Sequence, residues 1–254
     1  ESTSNILNLF NDVKTRLEIP TQICVLSHIT TQMKALENGV AMDLCFQSIA
    51  GSEISLNSFG VTTDMLKEAN DMMKELSNAE GPNYMYFETG QGSELSSNGH
   101  NGADQQTMEA RCYGLARHYK PFLVNTVVGF IGPEYIYDTK ELIRAALEDN
   151  FCGLMHGLPM GCDICYTNHM KADQNDVDSL LVMLASSGCR YVMGVPQGDD
   201  IMLMYQSTGF HDIATVREML GKRPIREFEL WLEKYGIMEN GKLTKRAGYP
   251  TLFL

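Results

Sequence analysis

The sequence predicts an α/β fold, specifically a (β/α)8 TIM barrel of which about six βα units lie in this chain. Short apolar runs rich in β-formers alternate with helical patterns, the order that yields a parallel sheet joined by helices. Segments leaving the strands (48–60, 88–102, 129–135, 162–174 and 194–209) are long and rich in glycine, whereas returning segments such as 38–41 and 187–190 are short. Function gathered at one end of the strands and stability at the other is the barrel arrangement. The length of 254 residues, 44% of them hydrophobic, allows one sizeable core. A closed barrel needs eight units, so two are missing from the count, and a doubly wound open sheet stands as the alternative.

Taken in order, the chain opens on a helical pattern, with Ile6, Leu7, Phe10, Val13 and Leu17 at helical spacing. It starts at Glu1 rather than Met, inside that pattern, so the working protein is expected to be longer. Strands are predicted at 22–28, 42–47, 84–87, 122–128, 156–161 and 191–195, the fifth being the least regular. Helices are predicted at 31–37, 63–76, 104–118, 139–149, 176–187, 211–220 and 226–235, the last burying Phe228, Trp231, Leu232 and Tyr235 on one stripe. Residues 1–220 are assigned to barrel units and 221–254 to a C-terminal helix and tail packing on the barrel.

Charge and composition exclude several classes. A net charge of −12 and a pI near 4.9 argue against a nucleic-acid surface, which would show clustered Lys and Arg. Seven cysteines are scattered, most of them inside apolar runs, the usage of a reducing cytosol. No signal peptide and no bilayer-spanning apolar run is found, so no membrane partner is expected. The 16 methionines are most simply core filler, although such surfaces also suit a large flexible ligand.

Residues 83–106, NYMYFETGQGSELSSNGHNGADQQ, organise the chain. An aromatic and apolar run ends at Glu88, then a polar segment carries Gly90, Gly92, Gly99 and Gly102, which let backbone approach a ligand closely. Asp163, in the run Met160 to Tyr166, likewise stands where a strand becomes a loop. In a closed barrel both carboxylates point at one mouth, a pair suited to a small cation and its neighbouring hydroxyl; alternatively each caps a loop or helix.

Other motifs are weaker. Cys162 and Cys165 have CxxC spacing, yet no second CxxC or HxxxH accompanies them, so no metal site is assigned. His28, His118 and His211 read as structural or helix-end residues; His100 and His169 stay undecided. Gly90-Gln91-Gly92 is half of a dinucleotide fingerprint without its third glycine or downstream acid. No P-loop, nucleophile elbow or kinase signature is present. The residues alone reach a barrel enzyme for a small polar or cationic substrate.

Five blocks carry a resemblance: FQSIAG at 46–51, MYFETGQGS at 85–93, PFLVNTVVGFIGPEY at 121–135, PMGCDICYTNH at 159–169 and DDIML at 199–203. In this order they resemble the large subunit of the ethanolamine ammonia-lyase family, over roughly residues 29–232. The resemblance implies an adenosylcobalamin-dependent radical enzyme that converts ethanolamine to acetaldehyde and ammonia. It implies that Glu88 holds the substrate ammonium and Asp163 its hydroxyl, with Val127, Phe130 and Met193 walling the pocket. It implies adenosyl or corrin contacts at Gln47, Ser48, Phe59, Ser96, Met202 and Leu203. It further implies a small-subunit partner, a homo-oligomer of large subunits, and a cytoplasmic location in or beside a bacterial microcompartment. The family's large subunit also draws an arginine, a glutamine and an asparagine from units that cannot be mapped here.

Two rival readings remain. A cofactor-independent aldolase or lyase barrel would want a strand-end lysine or a metal constellation, and no lysine occupies a strand end. A truncated subunit serving only assembly or cobalamin binding is the other.

Overall fold

The computed structural model describes residues 1–91, 98–128, 136–167, 169–200 and 205–253. Among them the chain runs α1 (Ser2–Leu17), α2 (Ile29–Glu37), β1 (Cys45–Ser48), α3 (Glu53–Ser58), α4 (Thr63–Leu76), β2 (Met85–Thr89), α5 (Gln105–Tyr119) and β3 (Leu123–Val128). It continues through α6 (Thr139–Met155), β4 (Met160–Ile164), α7 (Gln174–Ser186), β5 (Tyr191–Val192), β6 (Asp199–Asp200), β7 (Tyr205–Gln206), α8 (Phe210–Met219) and α9 (Arg226–Lys234). A small hairpin of β8 (Met238–Glu239) and β9 (Lys242–Leu243) precedes a final 3-10 turn.

Strands β1 to β5 form one parallel sheet in the order β1-β2-β3-β4-β5. Each strand adds beside its predecessor in the same direction, so these five contain no reversal of the kind that defines a doubly wound sheet. The described sheet is open. Several helix starts have a side-chain cap: Thr62, Asp104 and Asp138 accept from the first turns of α4, α5 and α6, and Asp173 and Asp176 form a capping box on α7.

Alternation along the strands separates two faces. Cys45, Met85, Phe87 and Val124 pack into a core with α1, α2, α4 and α5. Val128, Cys162, Ile164 and the half-buried Val192 belong to a second core with α6, α7 and Val216 of α8. Between these cores lies a polar seam: Asp149 of α6 accepts from Thr126 Oγ1 at 2.6 Å and from Gln91 Nε2 at 2.7 Å. The opposite face of the sheet carries a small cluster of Leu44, Phe46, Tyr86 and Leu123. Glu88, Asn125, Val127 and Asp163 share that second face by strand period.

The predicted strand at 22–28 does not form. Gln32, fully buried on α2, accepts from Phe46 N–H at 2.9 Å and donates to Phe46 C=O at 2.7 Å and to Ser27 C=O. Its amide thus occupies the groups on β1 that a neighbouring strand would use, and only Ile23 C=O pairs with the backbone of Asp43 and Leu44. Gln32→Leu is expected to leave three backbone groups without partners and to cost several kcal/mol at about 1–3 kcal/mol each, read as a fall in denaturation midpoint. An unchanged midpoint would show that water replaces the amide.

The predicted strand at 156–161 begins later, at Met160, because α6 runs on to Met155 and Gly157 closes it with φ +75. Asp163 therefore lies inside β4 rather than in the loop after it, and Glu88 lies inside β2. The strand predicted at 191–195 is in the sheet only over Tyr191–Val192, beyond which Val195 bridges Gly209. Helix α3 and hairpin β6–β7 were not predicted. At the C-terminal end, Trp231 Nε1 donates to Leu17 C=O at 2.8 Å, joining α9 to the end of α1.

Candidate active site

Glu88 and Asp163 are each the penultimate residue of a strand, at the same end of the parallel sheet. Strand β3 separates them, with Asn125 opposite Glu88 and Val127 opposite Asp163. Two strand spacings and the two-residue stagger from Asn125 to Val127 put about 12 Å between their backbones, a span that the longer Glu side chain helps to close. Both line one cleft of about 460 Å³, within the usual range of small-molecule sites.

The two acids differ in surroundings. Glu88 Oε1 accepts from Tyr86 O–H at 3.2 Å. Burial, then the negative field of Asp163, pushes the Glu88 carboxyl up to about 7, while hydrogen bonds from Tyr86 and Asn125 pull the other way. Asp163 is 4% exposed, and its two oxygens take separate donors: Ser207 O–H at 3.0 Å on Oδ1 and Tyr205 O–H at 3.3 Å on Oδ2. Burial raises its carboxyl to about 6; Ser207 and Tyr205 oppose that, and Asp200 adds to it.

The residues expected at the site meet in this cleft where they are described. Glu88, Asp163, Val127, Met193, Gln47, Ser48 and Phe59 all line it. Phe130, Ser96, Met202 and Leu203 lie outside the described residues. Gln47 Oε1 accepts from Ile29 N–H and its amide donates to Ser48 C=O, so it also holds the start of α2. The apolar walls are Leu26, Phe46, Ile49, Phe59, Val127 and Met193. Ser48, Thr89 and Gly90 add small or polar groups beside them.

Tyr86, Asn125, Tyr205 and Ser207 were missed from the sequence. Tyr86 and Asn125 carried a usable signal, since a period of two from Glu88 and Val127 puts them on the ligand face. Tyr205 and Ser207 carried none. They arrive through hairpin β6–β7, which is seated by paired backbone bonds between Tyr166 and Gln206. Cys162 and Cys165 are buried on opposite sides of β4's end, and the Cys165 thiol donates to Val128 C=O at 2.9 Å. Among the described residues no cluster of His, Cys, Asp and Glu is placed to hold a metal ion. His28 caps α2 through its Nδ1, and His100 Nδ1 accepts from Gly102 N–H.

Comparison with known proteins decides the family. Residues 1–246 match the family described as Ethanolamine ammonia lyase large subunit (EutB). The chain belongs to that family. It is 58% identical over 253 residues to the ethanolamine ammonia-lyase large subunits of Escherichia coli (strain K12) and Salmonella typhimurium (strain LT2). All of this chain is covered in each, and the chain spans 56% of the length of those relatives. Among the described residues no helix of this ethanolamine ammonia-lyase family member is long and apolar enough to cross a membrane.

Proposed function

We propose that the chain forms part of the catalytic subunit of an adenosylcobalamin-dependent ethanolamine ammonia-lyase, which converts ethanolamine to acetaldehyde and ammonia. The observation that carries this reading is the convergence of Glu88 and Asp163 on one apolar-walled cleft, in a sequence 58% identical to large subunits of that name. Ethanolamine at neutral pH presents one ammonium and one hydroxyl. Glu88 takes the ammonium as a charge-assisted pair, strengthened by the low local polarity. Asp163 accepts from the hydroxyl through a lone pair that its hairpin donors leave open.

The bound cofactor supplies the radical chemistry that breaks an unactivated C–H bond; the chain supplies binding, orientation and exclusion of water. Val127 and Met193 would wall the substrate, and Gln47, Ser48 and Phe59, with Ser96, Met202 and Leu203 by family membership alone, would hold the adenosyl group or the corrin ring. The assignment of Phe130 to the same wall rests on family membership alone. Adenosylcobalamin as a whole is far larger than a 460 Å³ cleft, which favours a site shared with the small subunit and an oligomer of large subunits. A bacterial microcompartment is the cellular setting we assign.

We also propose that the sheet is part of a (β/α)8 barrel with the C-terminal helix and tail, 221–254, packed on it. Sequential strand order, helices on one face and ligand acids at the C-terminal strand ends all favour it.

The test is ethanolamine turnover by the assembled native protein supplied with cofactor; absence of acetaldehyde would overturn the reading. Binding gives a second test. With Glu88 near 7 when free, an ammonium beside it lowers its pKa, so ethanolamine binding at pH 7 is expected to release about half a proton. Release fades above pH 8, where Glu88 is already ionised. Calorimetry in buffers of differing ionisation enthalpy measures it, and binding without proton release would remove the ammonium from Glu88.

A further inference from the structure

Asp163 is the more enclosed of the two ligand acids, and both of its oxygens are engaged by one element. Ser207 O–H donates to Oδ1 and Tyr205 O–H to Oδ2, at 3.0 and 3.3 Å. These donors stand 44 and 42 residues further along the chain, on and just beyond β7. Their strand reaches Asp163 because Tyr166 N–H donates to Gln206 C=O at 3.0 Å and Gln206 N–H returns to Tyr166 C=O at 3.1 Å. Ser207 N–H also donates to Gly198 C=O at 2.7 Å, closing the hairpin below its own side chain. A carboxylate has about four lone-pair positions. One on each oxygen is used from the hairpin side, so the remaining positions are aimed by the hairpin as well.

We propose that Ser207 and Tyr205 are positioning residues: they lock the Asp163 carboxylate in one orientation, ionised, with its open lone pairs turned to the ligand hydroxyl. The proposal rests on the ammonia-lyase reading for the identity of that hydroxyl, but the clamp itself does not. A free Asp163 could rotate about χ2 and offer either oxygen in any plane. With two fixed donors, rotation breaks both bonds in a site with little water to replace them.

The electrostatic setting gives the clamp its measurable consequence. Glu88 on β2, Tyr191 on β5, Asp200 on β6 and Tyr205 on β7 act electrostatically on Asp163 or feel its charge, as do the thiols of Cys162, its neighbour on β4, and of Cys165, just beyond that strand. Burial favours the protonated acid, and the two hydroxyl donors favour the ionised one. Losing either donor moves the carboxyl further up.

The experiment compares the native assembled protein with Ser207→Ala, Ser207→Thr and Tyr205→Phe, using Asp163→Asn as reference. Across pH 5–9, the acid limb of kcat/KM for ethanolamine is set jointly by Glu88 near 7 and Asp163 near 6, so raising Asp163 by about one pH unit in Ser207→Ala or in Tyr205→Phe is expected to steepen the limb and move it up by about 0.3 of a unit. KM is expected to rise more than kcat falls, and Ser207→Thr, which keeps a hydroxyl, to restore the native profile. An unmoved limb in both variants, while Asp163→Asn is inactive, overturns the clamp and leaves the ammonia-lyase reading standing. If Asp163→Asn keeps full activity, that reading falls instead, and a readout without substrate decides the clamp. The pH dependence of the melting-temperature difference between the native protein and Asp163→Asn locates the titration of Asp163. Repeating the pair in a Ser207→Ala background is expected to shift it upward by about one unit; no shift overturns the proposal.

Discussion

Glu88→Gln is expected to abolish ethanolamine turnover, by about 10³-fold or more, and at the same time to make the protein harder to melt at pH 8. The activity loss follows from replacing a carboxylate by an amide opposite an ammonium, in a cleft whose enclosure magnifies the change. The stability gain follows from linkage. The Glu88 carboxyl rises from its usual 4.5 to about 7 in the folded protein, so the folded state binds this proton more tightly than the unfolded chain. The stability it contributes is full below about pH 4.5 and is lost as pH climbs through 7. At pH 8 the ionised side chain carries that penalty, up to about 3 kcal/mol for such a shift, and the neutral amide does not. The difference in melting temperature between the two proteins should shrink as pH is lowered toward 5. Full turnover in the variant would end the assignment of Glu88 to the substrate; a variant less stable than the native protein at every pH would show that its hydrogen bonds outweigh its burial.

Gly51→Ala is expected to be the most disruptive conservative change near the cleft. A Cβ there would stand 2.1 Å from the Met108 carbonyl oxygen and 2.9 Å from its carbon, inside the backbone of α5. No side-chain rotation relieves such a clash, so the turn after β1 must lift away from the helix, costing about 3 kcal/mol or more. The same turn is wired to the ligand acid: Ile49 N–H donates to Glu88 C=O at 2.9 Å, and Ile49 walls the cleft. Loss of stability should therefore come with weakened ligand binding. Gly153→Ala provides the contrast, since its Cβ would meet chiefly the Met160 thioether, a flexible chain that can move. A melting temperature for Gly51→Ala equal to that of the native protein would mean that the loop shifts at no cost.

Glu88 and Asp163 were legible in the sequence because each acid interrupts an apolar run just before a glycine-bearing or polar loop. Tyr86 and Asn125 were legible in principle from the period of two. Ser207 was not: its meaning depends on a hairpin that folds back across more than forty residues, and nothing local distinguishes it from any exposed serine. Gln32 illustrates the opposite failure. Residues 22–28 have strand-forming composition, but a buried glutamine on the next helix took the hydrogen bonds that pairing needed, a tertiary choice that no local propensity records. The helix-to-strand boundary near Met160 moved because Gly157, rather than Asp149, ends α6. The family came from long motif blocks, information of a different kind from periodicity.

The seam of Asp149, Thr126 and Gln91 divides the apolar interior behind the sheet into two bodies. Each can lose its packing with less loss to the other than a continuous core would allow, which makes them natural units of partial opening and of amide exchange. Glu88 belongs to a strand backed wholly by the first body, whereas Asp163 stands between Cys162 and Ile164, both of the second. A ligand held by both acids is thus a strut between halves that would otherwise breathe separately. Occupancy should slow exchange in both together, so that the substrate itself completes the cooperativity of the fold.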